Sequence, residues 1–494
     1  MNYFSSKKKW LAYLVLLTFV FTSIVPTGTV FAGETESAVP VYTVSEDGFA
    51  TLKEAVDEAN KTENGAVIEL KKNIILNEKL TIKKNITLQG NATIIRGTAG
   101  TIFMVDKNAT LTLDGGLIID GGNNWTFDSK NYYADMAAGK TLTTGAKDSY
   151  TASAEGGINA TAAMISISGT NGVVVMNKAT IQNSWGKALF YVPTGAILTT
   201  NKDSLITHIH GRVVDTLEGI WTMKGGKIDG VYGHSLNGGL AYVSGSGIFN
   251  INGGEITGVT LLGLNANGNG ILAQVYGKNA KMNISAGSIH DNASFSPGNG
   301  WGSVVYLNGK ADKQCGEFTM TGGSITNTKS DHCTAFVANY PGTIELLGGT
   351  IEVDPSKAAW FDTLMYGDVT VAENMNIVGT EDAYFCVLGD KTYTLDIDGK
   401  ISGGTMWLMY NQPVTGEGTI TSDVLIKQDP SYFEHDGEVA IAGGNWLDSV
   451  ITVDAVGLDT TLTVKAGTVI NGKQVRVLNS VTSGDYTRRW APPR

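Results

Sequence analysis

The side chains best suited to chemistry crowd into one short run, Thr207-His208-Ile209-His210-Gly211-Arg212, which holds two of the chain's 6 histidines. An imidazole beside a carboxylate is oriented by it and has its charged form favoured, which suits general acid–base work. The carboxylate on offer is Asp229, in Lys227-Ile228-Asp229-Gly230. Aligning Ile209 with Ile228 as inward residues turns His208, His210 and Arg212 outward. That alignment sets His210 beside Asp229 and His208 beside Lys227. His210, Asp229, His208 and Arg212 are the candidate catalytic residues, with Tyr232 and His234 near enough to contact a sugar. The same outward column reads Gln182, His210, Asp229, Thr257, His290, Thr326 and Glu352. A polar column is also what the solvated face of any sheet must show.

Rings form the second group. Residues 122 to about 160 carry Trp125, Tyr132, Tyr133 and Tyr150, and residues 291–302 carry Trp301. Loops on a rigid scaffold often hold recognition residues, and exposed rings stack on sugar faces. Trp125, Tyr132, Tyr133 and Trp301 therefore join Tyr232 and His234 as candidate ligand-binding residues, with packing back over the sheet as their other use. Trp360, Tyr366, Trp407 and Tyr410 form a further aromatic set with the same two uses. Asp114 and Asp120 flank Gly115-Gly116 and would suit calcium, but two carboxylates lack a third, and aspartate beside glycine is first a turn former. The metal site is unassigned, and calcium is the one cofactor carried forward.

Positioning these residues falls to a repeat. Trp221-Thr-Met223-Lys-Gly225-Gly226-Lys-Ile228 matches Phe249-Asn-Ile251-Asn-Gly253-Gly254-Glu-Ile256, and further copies end at Ile118, Ile289, Ile325, Ile351 and Val469. Apolar-x-apolar is a strand burying alternate residues on one face. Gly-Gly is a bend that a Cβ would resist, and x-Ile-x is a second strand. The isoleucines at 228, 256, 289, 325 and 351 lie 26 to 36 residues apart, which suits a coil of three strands with loops of variable length. A third strand falls in each interval: Leu240-Ala-Tyr242-Val, Ile271-Leu-Ala-Gln-Val275, Val304-Val-Tyr306-Leu and Thr334-Ala-Phe336-Val337. Coils stacked about 4.8 Å apart make a rod of roughly 70–80 Å. Like residues stack on like, with Trp221, Phe249, Met282, Phe318 and Ile344 in one column. An antiparallel β-sandwich is the alternative that evenly spaced strands also fit.

An uncovered coil end invites association through its strand edges. Thr51-Leu-Lys-Glu54 has the form of a capping box. Leu52, Ala55, Val56 and Ala59 fall on one stripe of a short helix that covers the N-terminal end. Ahead of it, Lys7-Lys8-Lys9, the apolar run Leu11 to Val25 and Val30-Phe31-Ala32 read as a secretory signal peptide. The run is short for an uncleaved anchor, which needs about 20 residues. The expected organisation is signal peptide 1–32, lead-in and capping helix 33–62, β-helix 63–480 and tail 481–494, secreted and without a transmembrane helix in the mature chain.

Net charge is −11, more acidic still once the signal lysines leave, which argues against a nucleic-acid partner. The 62 glycines and 10 prolines suit tight turns, and 42% hydrophobic residues argue against disorder. Cys315 and Cys333 either pair or stay as buried thiols. After residue 480 there is no sortase-type Leu-Pro-x-Thr-Gly signal: the protein is released, attached by other means, or longer than this chain.

The capping helix, strand series and Gly-Gly repeats together resemble the right-handed parallel β-helix proteins of the pectate-lyase-like superfamily, and more narrowly the repeat-rich surface proteins of Gram-positive bacteria. The likeness spans about residues 41 to 475. It implies an all-β, right-handed parallel β-helix solenoid; function it leaves open, because that superfamily holds lyases, hydrolases, adhesins and inert scaffolds. The hydrolases' Gly-His-Gly and Arg-Ile-Lys motifs are missing: Gly233-His234-Ser235 lacks the second glycine. The expectation is a monomeric secreted or cell-surface protein, a non-enzymatic adhesin or glycan-binding scaffold whose partner is a polysaccharide or a host or cell-surface glycan. The alternative is a polysaccharide lyase or glycoside hydrolase.

Overall fold

The structure is a computed structural model that describes residues 39–126, 153–155, 158–234, 239–262, 269–295, 302–309, 315–330, 336–338, 341–353, 363–380, 383–389, 392–408, 414–428, 436–455 and 457–478. Almost every strand pairs in parallel with a strand one turn away. The fold is all-β: a parallel β-helix with one short helix among the described residues. Its pairings resolve into three stacks, joined where one long strand, such as Ala179–Val192 or Leu205–Leu217, runs from one stack into the next.

The first stack starts at Val41–Val44, passes through Ile220–Met223 and ends at Thr461–Val464. Its inward column holds Leu111, Val174, Leu198, Trp221, Phe249, Met282, Phe318, Ile344 and Val369 in successive register. The column expected from Trp221 to Ile344 is therefore present. Trp221 and Phe249 stack with centroids 4.2 Å apart at 9°, a geometry the 4.8 Å rise of the coil imposes on rings in one column.

The second stack holds the isoleucines: Ile119, Ile181, Ile206, Ile228, Ile256, Ile289, Ile325, Ile351 and Ile377. Two repeats are shifted by one from the sequence alignment. Ile119 rather than Ile118 is buried, and Ile470 rather than Val469 packs on the core. In the first case the glycine turn is one residue longer, so that Leu117 and Ile119 share the inward face. The third stack contains Ala241–Val243, Asn269–Tyr276, Gly302–Asn308 and Phe336–Ala338, where the sequence expects third strands.

Helix α1 (Leu52–Ala59) opens with the capping box: the Glu54 amide donates to Thr51 Oγ1 at 3.2 Å, and the Thr51 amide donates to Glu54 Oε2 at 3.0 Å. Leu52, Ala55, Val56 and Ala59 are buried, so α1 closes the N-terminal end of the core. Cys315 and Cys386 carry buried thiols, and Cys333 lies outside the described residues. Among the described residues no helix is long and apolar enough to cross a membrane.

Candidate functional site

The site follows from a corner. Two residues beyond Ile181, Ile206, Ile228, Ile256, Ile289 and Ile325 of the second stack the backbone turns with positive φ: Asn183 at 55°, His208 at 52°, Gly230 at 72°, Gly258 at 63°, Asp291 at 52° and Asn327 at 42°. Such a left-handed residue is tolerated best by Gly, Asn and Asp, which accounts for most of the types found there. His208 occupies this corner position, exposed, with Nδ1 3.0 Å from Thr207 Oγ1. Its place there is conformational.

This corner corrects the expected register. Ile206, not Ile209, pairs with Ile228; Thr207 pairs with Asp229; Ile209 pairs with Val231; and His210 pairs with Tyr232. His210 and Asp229 do not meet across the coils. The alignment fails because two apolar residues three apart, Ile206 and Ile209, both point inward on either side of one corner. Asp229 instead lies 3.4 Å from Lys227 Nζ, which also reaches Glu255 at 3.1 Å. These two carboxylates, Glu255 first, hold the Lys227 ammonium above its usual pKa.

Past the corner the chain re-enters a short strand with a second column, Trp185, His210, Tyr232, Thr260 and Ala293, of which the last three are buried. Trp185 and His210 stack with centroids 3.7 Å apart at 10°, and His210 and Tyr232 lie 5.3 Å apart at 40°. Trp185 and His210 are half-buried, whereas Tyr232 is 2% exposed. Burial pushes the Tyr232 phenol up to about 12. Tyr232 thus anchors the row, and its more open rings are Trp185 and His210.

Arg212 lies two residues beyond His210 on the same strand, with a side chain 13% exposed. Its Nη1 donates to the Asp215 carbonyl at 2.9 Å and to Asp215 Oδ1 at 3.1 Å, while Lys187 Nζ approaches Asp215 Oδ2 at 2.9 Å. The guanidinium also sits 5.8 Å from the centroid of the Tyr242 ring, and Tyr242 and Tyr276 are 5.8 Å apart. Burial lowers the Arg212 pKa, against the opposing pull of Asp215 and Tyr242. The arrangement is a strip of rings flanked by two cations sharing one carboxylate. It can stack on apolar sugar faces and donate hydrogen bonds.

The histidine–carboxylate contact sought at His210 is made elsewhere. His290 Nδ1 lies 2.7 Å from Asp291 Oδ2, and His290 Nε2 lies 3.5 Å from Glu255 Oε1. Asn327 Nδ2 bonds the other oxygen of Asp291. This chain of polar groups runs Asp229, Lys227, Glu255, His290, Asp291 along the outer face of the second stack. A reading that includes the corner residue finds it, since Asp291 follows His290 at the turn.

Asp114 and Asp120 serve turns. Asp114 accepts from the Gly115 amide at 2.7 Å and from Asn177 Nδ2 at 3.1 Å; Asp120 accepts from the Gly122 amide, Gln182 and Asn183 at 2.7 to 2.8 Å. No three His, Cys, Asp or Glu side chains gather to hold a metal ion among the described residues. Trp125 lies in a short strand, Asn124–Thr126, that pairs antiparallel with Ser153–Glu155. His234 closes the strand Lys227–His234, its backbone opposite Leu262. Tyr132, Tyr133 and Trp301 lie outside the described residues.

Comparison with protein-family models, with curated proteins and with solved structures gave no match. The class rests on the pairing pattern: a parallel β-helix whose outer face carries an aromatic and basic strip.

Proposed function

We propose that this chain is a secreted or cell-surface β-helix scaffold that binds a glycan without cleaving it, and that it is kin to the pectate-lyase-like β-helix proteins and the surface proteins of Gram-positive bacteria. One observation carries this reading: His210 lies face to face with Trp185, in a row of rings, while the carboxylate that would activate it is paired with Lys227. A ring ladder with half-buried edges offers a sugar stacking surface and hydrogen-bond donors. The strip from Trp185 through Arg212 to Tyr242 and Tyr276 is the binding face.

His290, held between Asp291 and Glu255, supports a second reading as a polysaccharide lyase or glycoside hydrolase. The test is the mature chain, residues 33–494, passed over immobilised acidic and neutral polysaccharides with and without calcium, while released reducing ends and unsaturated products are followed. Retention without product, lost in Trp185→Ala and kept in His290→Ala, supports the binder. Product formed by the native chain and abolished in His290→Ala replaces it with the enzyme.

A further inference from the structure

The outer face of the first stack changes character along the rod. In five successive coils one outward column reads Thr110, Val173, Ile197, Ile220 and Ile248, all in register. Its neighbour, two residues further along each strand, runs from Thr112 through Val175 to Asn250. Apart from Asn250, every one of these positions is Thr, Val or Ile. The coils that follow put Lys281, Glu317 and Asp368 in the first column and Glu345 in the second.

Strands with one wet face alternate apolar and polar residues, whereas strands covered on both faces read as continuous apolar runs. Val173–Met176 is such a run, Val-Val-Val-Met. Ile197-Leu198, Ile220-Trp221 and Ile248-Phe249 open the strands of the next three coils in the same manner. The inward member of each pair is buried in the core, while Ile197 is 36% and Ile220 37% exposed. Among the described residues between 76 and 457 these two are the only exposed large hydrophobic side chains. A contiguous apolar patch of this kind marks an interaction site.

Three properties of the face select a second copy of this chain as its cover. The first is charge. A chain of net charge −11 repels its own kind, but two uncharged faces meet without setting like charges against each other. The second is spacing. Sheets pack face to face about 10 Å apart with their side chains interdigitated, and the rows here repeat at the coil rise of about 4.8 Å. A partner keeps its rows between these over five coils only if it has the same rise, and an identical rod has it. The third is area. Five rows by two columns cover roughly 300 Å². Polar columns border them, with Asn171 Nδ2 donating to Asn108 Oδ1 at 3.2 Å on one side and Asn201 Nδ2 to Asn177 Oδ1 at 2.6 Å on the other. This rim brings the face to roughly 600 Å². A standard complex buries about 800 Å² per partner, so a pair made here forms but follows concentration.

We propose that two copies of this chain pair side by side through this face, the columns around Ile197 and Ile220 of one rod interleaving with those of the other. The contact is isologous, the same surface on both copies, so it closes at two. It replaces the monomer expected from the sequence with a dimer. The ring strip belongs to other strands, so this inference stands apart from the glycan reading.

The experiment is sedimentation equilibrium of the mature chain, residues 33–494, up to about 1 mM and at low and high salt. The expected result is a monomer–dimer equilibrium with a dissociation constant on the order of 100 µM, tightened by salt as the net charges are screened. Ile197→Lys with Ile220→Lys should weaken pairing at least about tenfold. Thr343→Lys, on the charged length of the same face, should leave it unchanged, and thermal unfolding checks that each variant folds. Oxidative footprinting of the native chain needs no variant: labelling of Ile197 and Ile220 should fall as the dimer forms. A native chain that stays monomeric throughout overturns the proposal. So does a dimer that leaves that labelling unchanged or that survives the lysine pair. A monomer retained on a neutral polysaccharide through Ile197 and Ile220 overturns it too, and gives the face to a glycan.

Discussion

Two histidines on the outside of the same coil stack sit in opposite surroundings. His210 lies past the corner, stacked on Trp185 and next to a buried Tyr232. His290 lies just before the corner, between Asp291 and Glu255. The sequence around each is similar, an isoleucine followed by polar residues. The difference is one of position about a left-handed turn: the residue before it joins a solvated polar ladder, while the second residue after it joins a row of rings. Chemistry on a β-helix is thus set by where a side chain falls relative to the corner, and identical residue types acquire different uses.

The sharpest way to break this contrast is at the backbone. Gly211 has φ of 123°, and a Cβ there would run into the Gly186 carbonyl. Gly211→Val should cost about 3 kcal/mol or more in urea unfolding. Asp291→Gly at the other site should fall within about 1 kcal/mol of the native chain, since glycine accepts the same turn. Equal losses would mean that the backbone at Gly211 is no more constrained than the corner at Asp291.

Next in size is a pH effect confined to the ring row. The Tyr232 phenol, buried and raised to about 12 from 10.0, binds its proton more tightly folded than unfolded. Its contribution is complete below pH 10 and is lost as pH rises toward 12, amounting to roughly 3 kcal/mol at most. Tyr232→Phe should remove that loss from the alkaline stability curve and delete one late-ionising phenol from the ultraviolet titration.

Trp185→Ala should cost about 1–2 kcal/mol and weaken retention on the bound polysaccharide about tenfold. His290→Ala and Glu255→Gln should each change stability by less than about 1 kcal/mol, with any effect fading in salt, because these ion pairs are solvent-exposed. A Trp185→Ala variant that binds as well as the native chain would remove the ring row from function.

Much of the fold is legible in the sequence, because a solenoid repeats its instructions. Gly-Gly bends and alternating apolar residues recur, and the Thr51–Glu54 capping box forms as its spacing implies. The site was less legible. Ile206 and Ile209 both look like strand centres, and nothing local says which pairs with Ile228. Reading the residue two past the isoleucines between Ile181 and Ile325 as a turn would have resolved it, since Asn183, Gly230, Gly258, Asp291 and Asn327 are types that tolerate positive φ. His208 hid the pattern by being a histidine.

The sequence by itself determined the coil: hydrophobic period, glycine turns and helix cap are short-range properties, readable wherever side chains alternate about a backbone. Only the tertiary structure decided which outward residues become neighbours. Those neighbours lie one coil apart and some 20 to 36 residues away, and a single left-handed residue moves every contact after it. That is why Tyr232 rather than Asp229 faces His210, and why Val41–Val44 and Thr461–Val464, at opposite ends of the described chain, belong to one sheet.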